Sequence, residues 1–475
     1  MKKKGGNRVF KDSLLRGTGR CVTMLATESA RRKYRPLVMW ACGRCLGYDT
    51  QIEGTRALFL YDLIGQYPSP EPFLDIVEER FFASFNKGNW LFQQECELLA
   101  LFAANGNERS RRILEKGYGR LLQYLRRLNP ARVSKPYIPA LDSFDSLCKH
   151  LMLCAKSAEE RPMLERIVTD VGGLCMRDPF WNDTADFVQL SLGFVLGERR
   201  LAAMLARIRT TPEVEAYKAA VLLAKKESEA RNAEWKKWKR RCTVGYKEVY
   251  RRVSERGTAG IRYMVGQWRL DGRIKDIERL VKLYVAEKDL ETRAGLLDLF
   301  SAYDSKCEGY LPLDCVLQDA LSGDDGLRVS ALGVLEGVKN PRVHDFALDM
   351  VKTRGVSPEL LSVLAGNYRQ DGDDFLIGAL KKIGSMRHHV HLILARIPED
   401  KNGNRLSLRM LMYLYGAIEC TCCRKRVVRE LGRRGWLTDD MLAECLHDAS
   451  GDIRDYAQRL LSRRRAKATA NPVKD

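Results

Sequence analysis

Residues 324–337 read DDGLRVSALGVLEG, and this stretch shows most clearly which class of fold the chain adopts. Arg328 is followed by apolar residues at the third, fourth and seventh positions, a spacing that puts them on one face of a helix. These residues are Ala331, Leu332 and Leu335. Asp325 precedes them at the predicted helix start, where a carboxylate caps backbone N–H groups and favours the positive end of the helix dipole. The stretch predicts a short amphipathic helix.

The same arrangement recurs along the chain. Arg56, Arg293 and Arg454 are each followed by apolar residues at similar spacing, and each has an acidic residue a few positions earlier. Helical spacing dominates almost everywhere, whereas alternating strand patterns are rare. With Gly, Pro, Asn and Asp as breaks, the second half of the chain predicts twelve short helices. They span 274–287, 290–302, 312–321, 327–337, 341–353, 357–368, 373–383, 387–396, 407–417, 423–434, 438–447 and 452–464.

Residues 324–337 and residues 450–461, SGDIRDYAQRLL, resemble the second-helix motif of HEAT-like repeats. In that family an Asp and an Arg recur and can form ladders between repeats. The resemblance covers roughly 270–475 and is weaker over 20–210, where the period drifts. It implies an all-α fold, an α-solenoid of antiparallel helix pairs, which armadillo-type repeats would share. The residues expected to be structural in the repeats are Arg56, Arg293, Asp325, Arg328, Asp452 and Arg454.

The composition is that of a basic, folded protein. Of 475 residues, 45% are hydrophobic and 30% charged, and the formal net charge is +20. This charge predicts an acidic partner, either nucleic acid, an anionic membrane surface or an acidic protein. A basic surface that serves only solubility is the alternative.

The N-terminus carries no apolar segment of signal-peptide length, and the longest apolar run, 36–42, is too short to span a bilayer. We therefore expect a cytoplasmic protein whose 14 cysteines are reduced and mostly buried. Peripheral association with an anionic membrane through the basic N-terminus is a further possibility. The residues concerned are Lys2, Lys3, Lys4, Arg8 and Lys11.

These patterns divide the chain into five regions. They are a basic, disordered arm at 1–20, irregular helical repeats at 21–215, basic connecting helices at 216–270, HEAT-like repeats at 271–465 and a disordered tail at 466–475.

Residues 225–256 hold twelve Lys and Arg against five Glu. One continuous apolar stripe is expected there, formed by Trp235, Trp238, Cys242, Tyr246, Val249 and Val253. The basic back of this helix is either a solvated face or a phosphate-binding surface, formed by Lys236, Lys237, Lys239, Arg240 and Arg241.

Residues 418–436, IECTCCRKRVVRELGRRGW, suggest a metal or redox site. In a helix hairpin the start of one helix lies beside the end of the next, so four residues of zinc-ligand type could converge: Cys420, Cys423, Cys445 and His447. A low-pKa thiol pair at the helix N-terminus is another possibility. We instead interpret these cysteines as buried packing residues. The same holds for Cys42 and Cys45. Of the histidines at 388, 389 and 391, which could also bind a metal, we expect His391 to face inward and His388 or His389 to be exposed.

No Walker loop, dinucleotide-binding turn or nucleophile elbow is present in the sequence. We therefore expect a non-catalytic scaffold without a cofactor, which binds a protein partner through the concave surface of its solenoid. The alternatives are a nucleic-acid-binding HEAT-like protein and an adaptor at a membrane surface. The nucleic-acid-binding alternative includes an enzyme similar to the HEAT-like alkylpurine DNA glycosylases. The oligomeric state is not predicted.

Overall fold

The fold is all-α in this computed structural model, which confirms the predicted fold class. The structure describes residues 3–84, 87, 90–129, 139–155, 158–241, 245–265, 274–302, 310–383, 387–397 and 405–470. Within these ranges there are 26 α-helices and no strand.

The first half of the chain holds thirteen helices. They are α1 (Lys3–Arg16), α2 (Arg20–Met24), α3 (Glu28–Cys42), α4 (Thr50–Glu53), α5 (Ala57–Ile64), α6 (Glu71–Ser84), α7 (Trp90–Ala104), α8 (Glu108–Arg127), α9 (Pro139–Cys154), α10 (Glu160–Arg177), α11 (Asn182–Leu196), α12 (Glu198–Leu205) and α13 (Pro212–Arg241).

The second half begins with α14, and each of the twelve predicted helices is found close to its expected position. The helices are α14 (Tyr246–Val265), α15 (Ile274–Ala286), α16 (Leu290–Ala302), α17 (Leu313–Asp319), α18 (Asp325–Gly337), α19 (Pro341–Arg354), α20 (Pro358–Gly366), α21 (Asp373–Leu380), α22 (Arg387–Arg396), α23 (Leu408–Ala417), α24 (Thr421–Arg433), α25 (Asp439–Cys445) and α26 (Gly451–Ala470).

Side-chain caps fix several helix starts. The Asp324 carboxylate accepts a hydrogen bond from the Leu327 N–H at 2.8 Å at the start of α18. Ser407 and Thr438 accept from the N–H groups three residues later and so cap α23 and α25. These bonds satisfy N–H groups that have no partner within the helix.

The chain forms two compact units. Unit 1 contains Met1–Arg231, Glu419–Lys425 and Leu437–Asp475, and unit 2 contains Asn232–Ile418 and Arg426–Trp436. In unit 1, α7 packs against α5 and α9, and α9 packs against α11. In unit 2, α16 packs against α14 and α18, and α20 packs against α18 and α22. In both units a helix therefore contacts the helix two places along the chain. The unit boundaries differ from those predicted, because the last helices of the chain belong with the first.

The N-terminal residues differ from the predicted disordered arm. They form α1, in which Phe10 and Leu14 are fully buried. The Phe10 ring stacks on Tyr34 with ring centroids 4.2 Å apart. Two apolar anchors on one face of a basic helix are enough to dock it on its neighbours. At the other end, α26 extends to Ala470, and the remaining residues of the predicted tail lie outside the described residues.

The apolar stripe predicted for 235–253 is not continuous. The helix α13 ends at Arg241, and α14 begins at Tyr246 after Gly245. Val249 and Val253 are buried, whereas Trp235 is 55% exposed. Trp238 and Cys242 lie outside the described side chains. Glycine is a poor helix former, so the break at Gly245 divides the pattern between two helices.

Buried charges join the two ends of the chain within unit 1. Arg424 donates two hydrogen bonds to the Asp448 carboxylate, at 2.9 and 3.0 Å, and a third to the Gly17 carbonyl at 3.3 Å. The Arg424 side chain is fully buried and that of Asp448 is 4% exposed. Gly17 has a φ of +66°, and a Cβ there would meet the Arg56 guanidinium, so only glycine fits.

A second buried pair lies beside the first. The Arg56 guanidinium donates to Glu53 at 3.0 Å, and both side chains are 1% exposed. Glu53 also accepts a hydrogen bond from the Thr421 N–H at 2.6 Å, at the start of α24. Burial lowers the pKa of Arg56, while Glu53 opposes this shift. Two cations and two carboxylates therefore neutralise each other where the chain's two ends meet.

The other residues for which the sequence predicts a structural role also form ion pairs. Arg293 donates to Asp319 at 2.8 and 3.0 Å, and thereby links α16 to the end of α17. Arg454 donates to Asp62 at 2.7 Å, and Arg328 pairs with Asp325. Asp452 pairs with Lys425. That these residues have a structural role in repeats stays a prediction.

Replacing Arg424 with Ala should destabilise unit 1 strongly, because it leaves Asp448 buried without a partner. We expect a loss of about 3–5 kcal/mol in the free energy of unfolding, measured by chemical denaturation. Arg409→Ala is the matched control, since Arg409 is 64% exposed and pairs with an exposed carboxylate. The control should lose no more than about 1 kcal/mol. Equal losses in both variants would contradict the role assigned to the buried pair.

Candidate binding surface

A cavity of about 290 Å³ lies among α7, α9 and α11. The helix α7 contributes Trp90, Gln93 and Glu97, and α11 contributes Ser191. Gly54 and Thr55 form part of its edge. The remaining lining residues all come from α9 and are Asp142, Asp145, Ser146, Lys149 and His150. Their spacing of three and four residues places one face of α9 along the cavity. We call this space the acidic cavity.

The edge of the acidic cavity is fixed by hydrogen bonds to α7. The Gln94 side chain donates to the Arg44 carbonyl at 2.8 Å and accepts from the Arg56 N–H at 3.3 Å. Thr55 donates to the Glu97 carboxylate. These bonds attach residues 44–56 to α7 and hold Gly54 and Thr55 at the cavity.

Asp145 is the most perturbed carboxyl in the acidic cavity. Burial raises its pKa to about 6, against the opposing effects of a hydrogen bond from Ser191 and the charge of Lys149. The Ser191 hydroxyl donates to Oδ2 at 2.8 Å. The other oxygen, Oδ1, is buried without a hydrogen-bond donor among the described residues. A carboxyl kept in such surroundings lowers stability, which makes it a candidate functional group.

His150 presents a neutral ring to the same cavity. It is 5% exposed, and burial lowers its pKa to about 4. Its Nδ1 lies 2.6 Å from the Ser146 carbonyl of the preceding helical turn, so this nitrogen carries the proton and donates. The remaining nitrogen, Nε2, is then an acceptor.

An exposed row of large apolar side chains lies on α11. Phe187 is 60% exposed, Leu190 is 62% exposed and Phe194 is 82% exposed. We call them the α11 apolar row. The helix buries a second row, Ala185, Val188 and Leu192, with the same spacing. Because each exposed residue lies two positions after a buried one, the two rows point to opposite sides of the helix.

The α11 apolar row adjoins the acidic cavity. The Lys149 ammonium, from the cavity wall, lies 5.0 Å from the centre of the Phe194 ring. Leu153, one helical turn beyond Lys149 on α9, is 47% exposed. An acidic cavity and an apolar row thus share one surface of unit 1.

The basic residues predicted to bind phosphate lie on α13. Lys236 and Lys237 are exposed, whereas the side chains of Lys239, Arg240 and Arg241 lie outside the described residues. At the N-terminus, Arg8 pairs with Asp12 at 3.9 Å, and the Lys11 ammonium lies 5.2 Å from the centre of the Trp40 ring. No helix among the described residues has the length and hydropathy needed to cross a membrane.

The four residues considered for zinc are not gathered around one point. Cys420, Cys423 and Cys445 are buried. His447 instead lies against Asp62, with Nδ1 3.1 Å from the carboxylate oxygen. Among the described residues, Cys445 and His447 do not join the other two in a group whose ligand atoms are close enough for one ion. That the protein carries no zinc stays a prediction.

The remaining cysteine candidates have thiols of raised pKa, and the histidine candidates differ in burial. Burial raises the pKa of the Cys42 thiol to about 12 and also raises that of Cys45. It likewise raises the pKa of Cys422 at the start of α24, which is the opposite of an activated thiol. His391 is buried, and His389 lies 2.9 Å from Glu336 at the surface of unit 2.

Sequence reasoning missed both the acidic cavity and the α11 apolar row. The cavity residues extend from Gly54 to Ser191, which are 137 positions apart, and no local motif connects them. The row had a local signal, because NDTADFVQLSLGFVL carries apolar residues on both sides of a helix. A helix that is apolar all round is buried or covered by another molecule.

No protein-family model matches this sequence, and no curated protein matches it significantly. The assignment of function therefore depends on the geometry of the surface itself.

Asp145→Asn should stabilise the protein at neutral pH. The pKa of Asp145 rises from 3.8 to about 6 on folding, so the folded protein binds a proton more tightly than the unfolded chain does. The ionised carboxyl therefore lowers stability above pH 6, and this penalty vanishes as the pH falls below about 4. We expect the variant to gain about 1–2 kcal/mol in the free energy of unfolding at neutral pH, and nothing near pH 4. Chemical denaturation at both pH values measures this, and a pH-independent effect would contradict it.

Proposed function

We propose that this protein is a non-catalytic helical scaffold that binds a protein partner on the surface formed by α7, α9 and α11. The α11 apolar row is the observation that carries the proposal. Single exposed apolar residues are common on soluble proteins, but contiguous large ones are typical of interaction sites. Aromatic residues in particular are enriched at the centres of protein–protein interfaces.

A HEAT-like solenoid is part of this proposal. Packing between second neighbours supports it, since stacked helix pairs bring equivalent helices side by side. The Arg293–Asp319 and Arg424–Asp448 pairs also support it, because each joins one helix to the last residue of the next helix or to the residues just after it. In such a stack α7, α9 and α11 would be equivalent helices lining the concave, partner-binding side.

The hydroxyl groups in the acidic cavity favour binding over catalysis. The Ser146 hydroxyl lies 3.3 Å from the His150 Nδ1, but this nitrogen donates its proton to the Ser146 carbonyl. It cannot then accept the hydroxyl proton as a general base would. Ser191 donates to Asp145, a contact that orients the carboxylate.

Replacing Phe187, Leu190 and Phe194 together with Ser should abolish partner binding and leave the fold intact, because the three side chains are exposed. We expect recovery of the partner to fall at least about tenfold, as truncating several anchors costs more than 1–2 kcal/mol. The measurement is affinity capture from the native host with quantitative mass spectrometry, with and without nuclease.

The matched control replaces Leu321, Val329 and Val356 with Ser, three exposed apolar residues of unit 2. Its recovery of partner should equal that of the unaltered protein. Equal loss in both triple variants, or recovery that depends on intact nucleic acid, would contradict the proposal.

Binding of a polyanion by α13 is the second candidate. Residues 225–237 are almost entirely exposed, and Trp235 is among them with 55% of its surface accessible. A helix that presents lysines and an aromatic ring to solvent is suited to phosphates and bases. The membrane-surface and glycosylase-like alternatives have no comparable feature among the described side chains.

Changing Lys236 and Lys237 to Gln tests this candidate. If both lysines contact phosphates, affinity for a short DNA duplex should fall, and the slope of log K against log salt should flatten by about 1–2, because fewer counterions are released. Lys381→Gln with Lys382→Gln is the matched control, since these adjacent lysines are equally exposed in unit 2. An unchanged slope in the first variant would assign the α13 lysines to solvation alone.

A further inference from the structure

We propose that the acidic cavity binds a cationic group, an alkylammonium or guanidinium carried by the protein segment that lies on the α11 apolar row. The inference rests on the proposed function and names the side chain that the partner inserts, a Lys or Arg flanked by apolar residues.

The charge of the acidic cavity opposes that of the whole protein. Glu97, Asp142 and Asp145 face one cation, Lys149, so the lining carries a net charge of −2, while the chain carries +20. His150 adds no charge, because burial keeps its ring neutral. Such a site attracts cations and repels phosphates and carboxylates. The ligand of this cavity is therefore different from any polyanion that the basic surface attracts.

One acceptor that is buried without a donor, and a second acceptor on a residue that lines the cavity, indicate a ligand that brings N–H groups. Asp145 Oδ1 is buried and has no donor among the described residues. His150 is 95% buried, since 5% of its surface is exposed, and it lines the cavity with Nδ1 already engaged by the helix. This leaves Nε2 as an acceptor. An ammonium supplies three donors and a guanidinium five, so either one can satisfy both acceptors.

The aromatic residues around the cavity suit a cation as well. Trp90 lines the cavity, and Trp is the aromatic side chain that attracts cations most strongly. At the cavity's edge, Phe194 already has the Lys149 ammonium 5.0 Å from its ring centre. Lys149 is therefore positioned to compete with an entering cation. Its removal should strengthen binding, whereas loss of a lining carboxylate should weaken it.

The test uses n-butylammonium and n-butylguanidinium, which mimic the ends of Lys and Arg, with n-butanol as the neutral isostere. Binding to the full chain is measured by titration calorimetry, with the melting temperature as a check on folding. Both cations should bind and n-butanol should not. Asp145→Asn and Glu97→Gln should each weaken cation binding at least tenfold, and Lys149→Met should strengthen it severalfold. The control Asp349→Asn, an exposed carboxylate of unit 2, should leave it unchanged.

Equal binding of n-butanol and the cations, or cation binding that Asp145→Asn and Glu97→Gln both leave intact, overturns the inference. Partner capture separates it from the proposed function. Capture could require the α11 apolar row and yet be unaffected by Asp145→Asn. In that case the scaffold function stands, and the proposal that the partner inserts a Lys or Arg into the cavity is wrong. A third result would also overturn the inference. If the unaltered protein binds spermidine tightly, and Asp145→Asn loses amine binding but still captures the partner, the cavity belongs to a free polyamine instead.

Discussion

The buried pair between Arg424 and Asp448 is the interaction on which the binding surface depends. It fixes helices from the end of the chain against the Gly17 carbonyl near its beginning, 407 positions away. Glu53, in the adjacent pair, accepts from the Thr421 N–H and lies directly before Gly54 and Thr55 at the edge of the acidic cavity. The last helices of the chain thus hold the loop that completes a cavity built from α7, α9 and α11. Buried ion pairs add little stability over apolar packing, but they strongly disfavour any arrangement that leaves one charge alone.

The protein combines a positively charged surface with a negatively charged cavity. Most of its charge is positive and exposed, which suits an acidic partner or solubility, whereas the acidic cavity concentrates carboxylates around a buried, neutral histidine. Desolvation raises the pKa of Asp145, so keeping it ionised at neutral pH destabilises the fold. A group that lowers stability and lacks a hydrogen-bond donor for one oxygen is explained more readily by a ligand than by packing. The exposed Phe194, whose ring centre lies 5.0 Å from the Lys149 ammonium of the cavity wall, has the same explanation.

The sequence was sufficient for the helices but not for the surface. Arginine with apolar residues at helical spacing located α16, α18 and α26, because periodicity is a local property. The prediction of a disordered arm was wrong. It relied on the basic composition of residues 1–20 and neglected Phe10 and Leu14, whose burial docks α1. The acidic cavity could not be predicted, since it depends on which helices become neighbours and on a loop fixed by residues hundreds of positions away. The α11 apolar row could have been noticed, because one helix cannot bury two opposite apolar rows against the same neighbour.

The central claim is that the surface of α7, α9 and α11 receives a protein segment. The most direct test places a photoreactive benzoylphenylalanine at Leu190 and cross-links it in living cells of the native host, with Val356 of unit 2 as the control position. We expect one discrete cross-linked protein at Leu190 and none at Val356, and the cross-linked segment should contain a Lys or Arg near apolar residues. Cross-links to nucleic acid, or the same products from both positions, would contradict it.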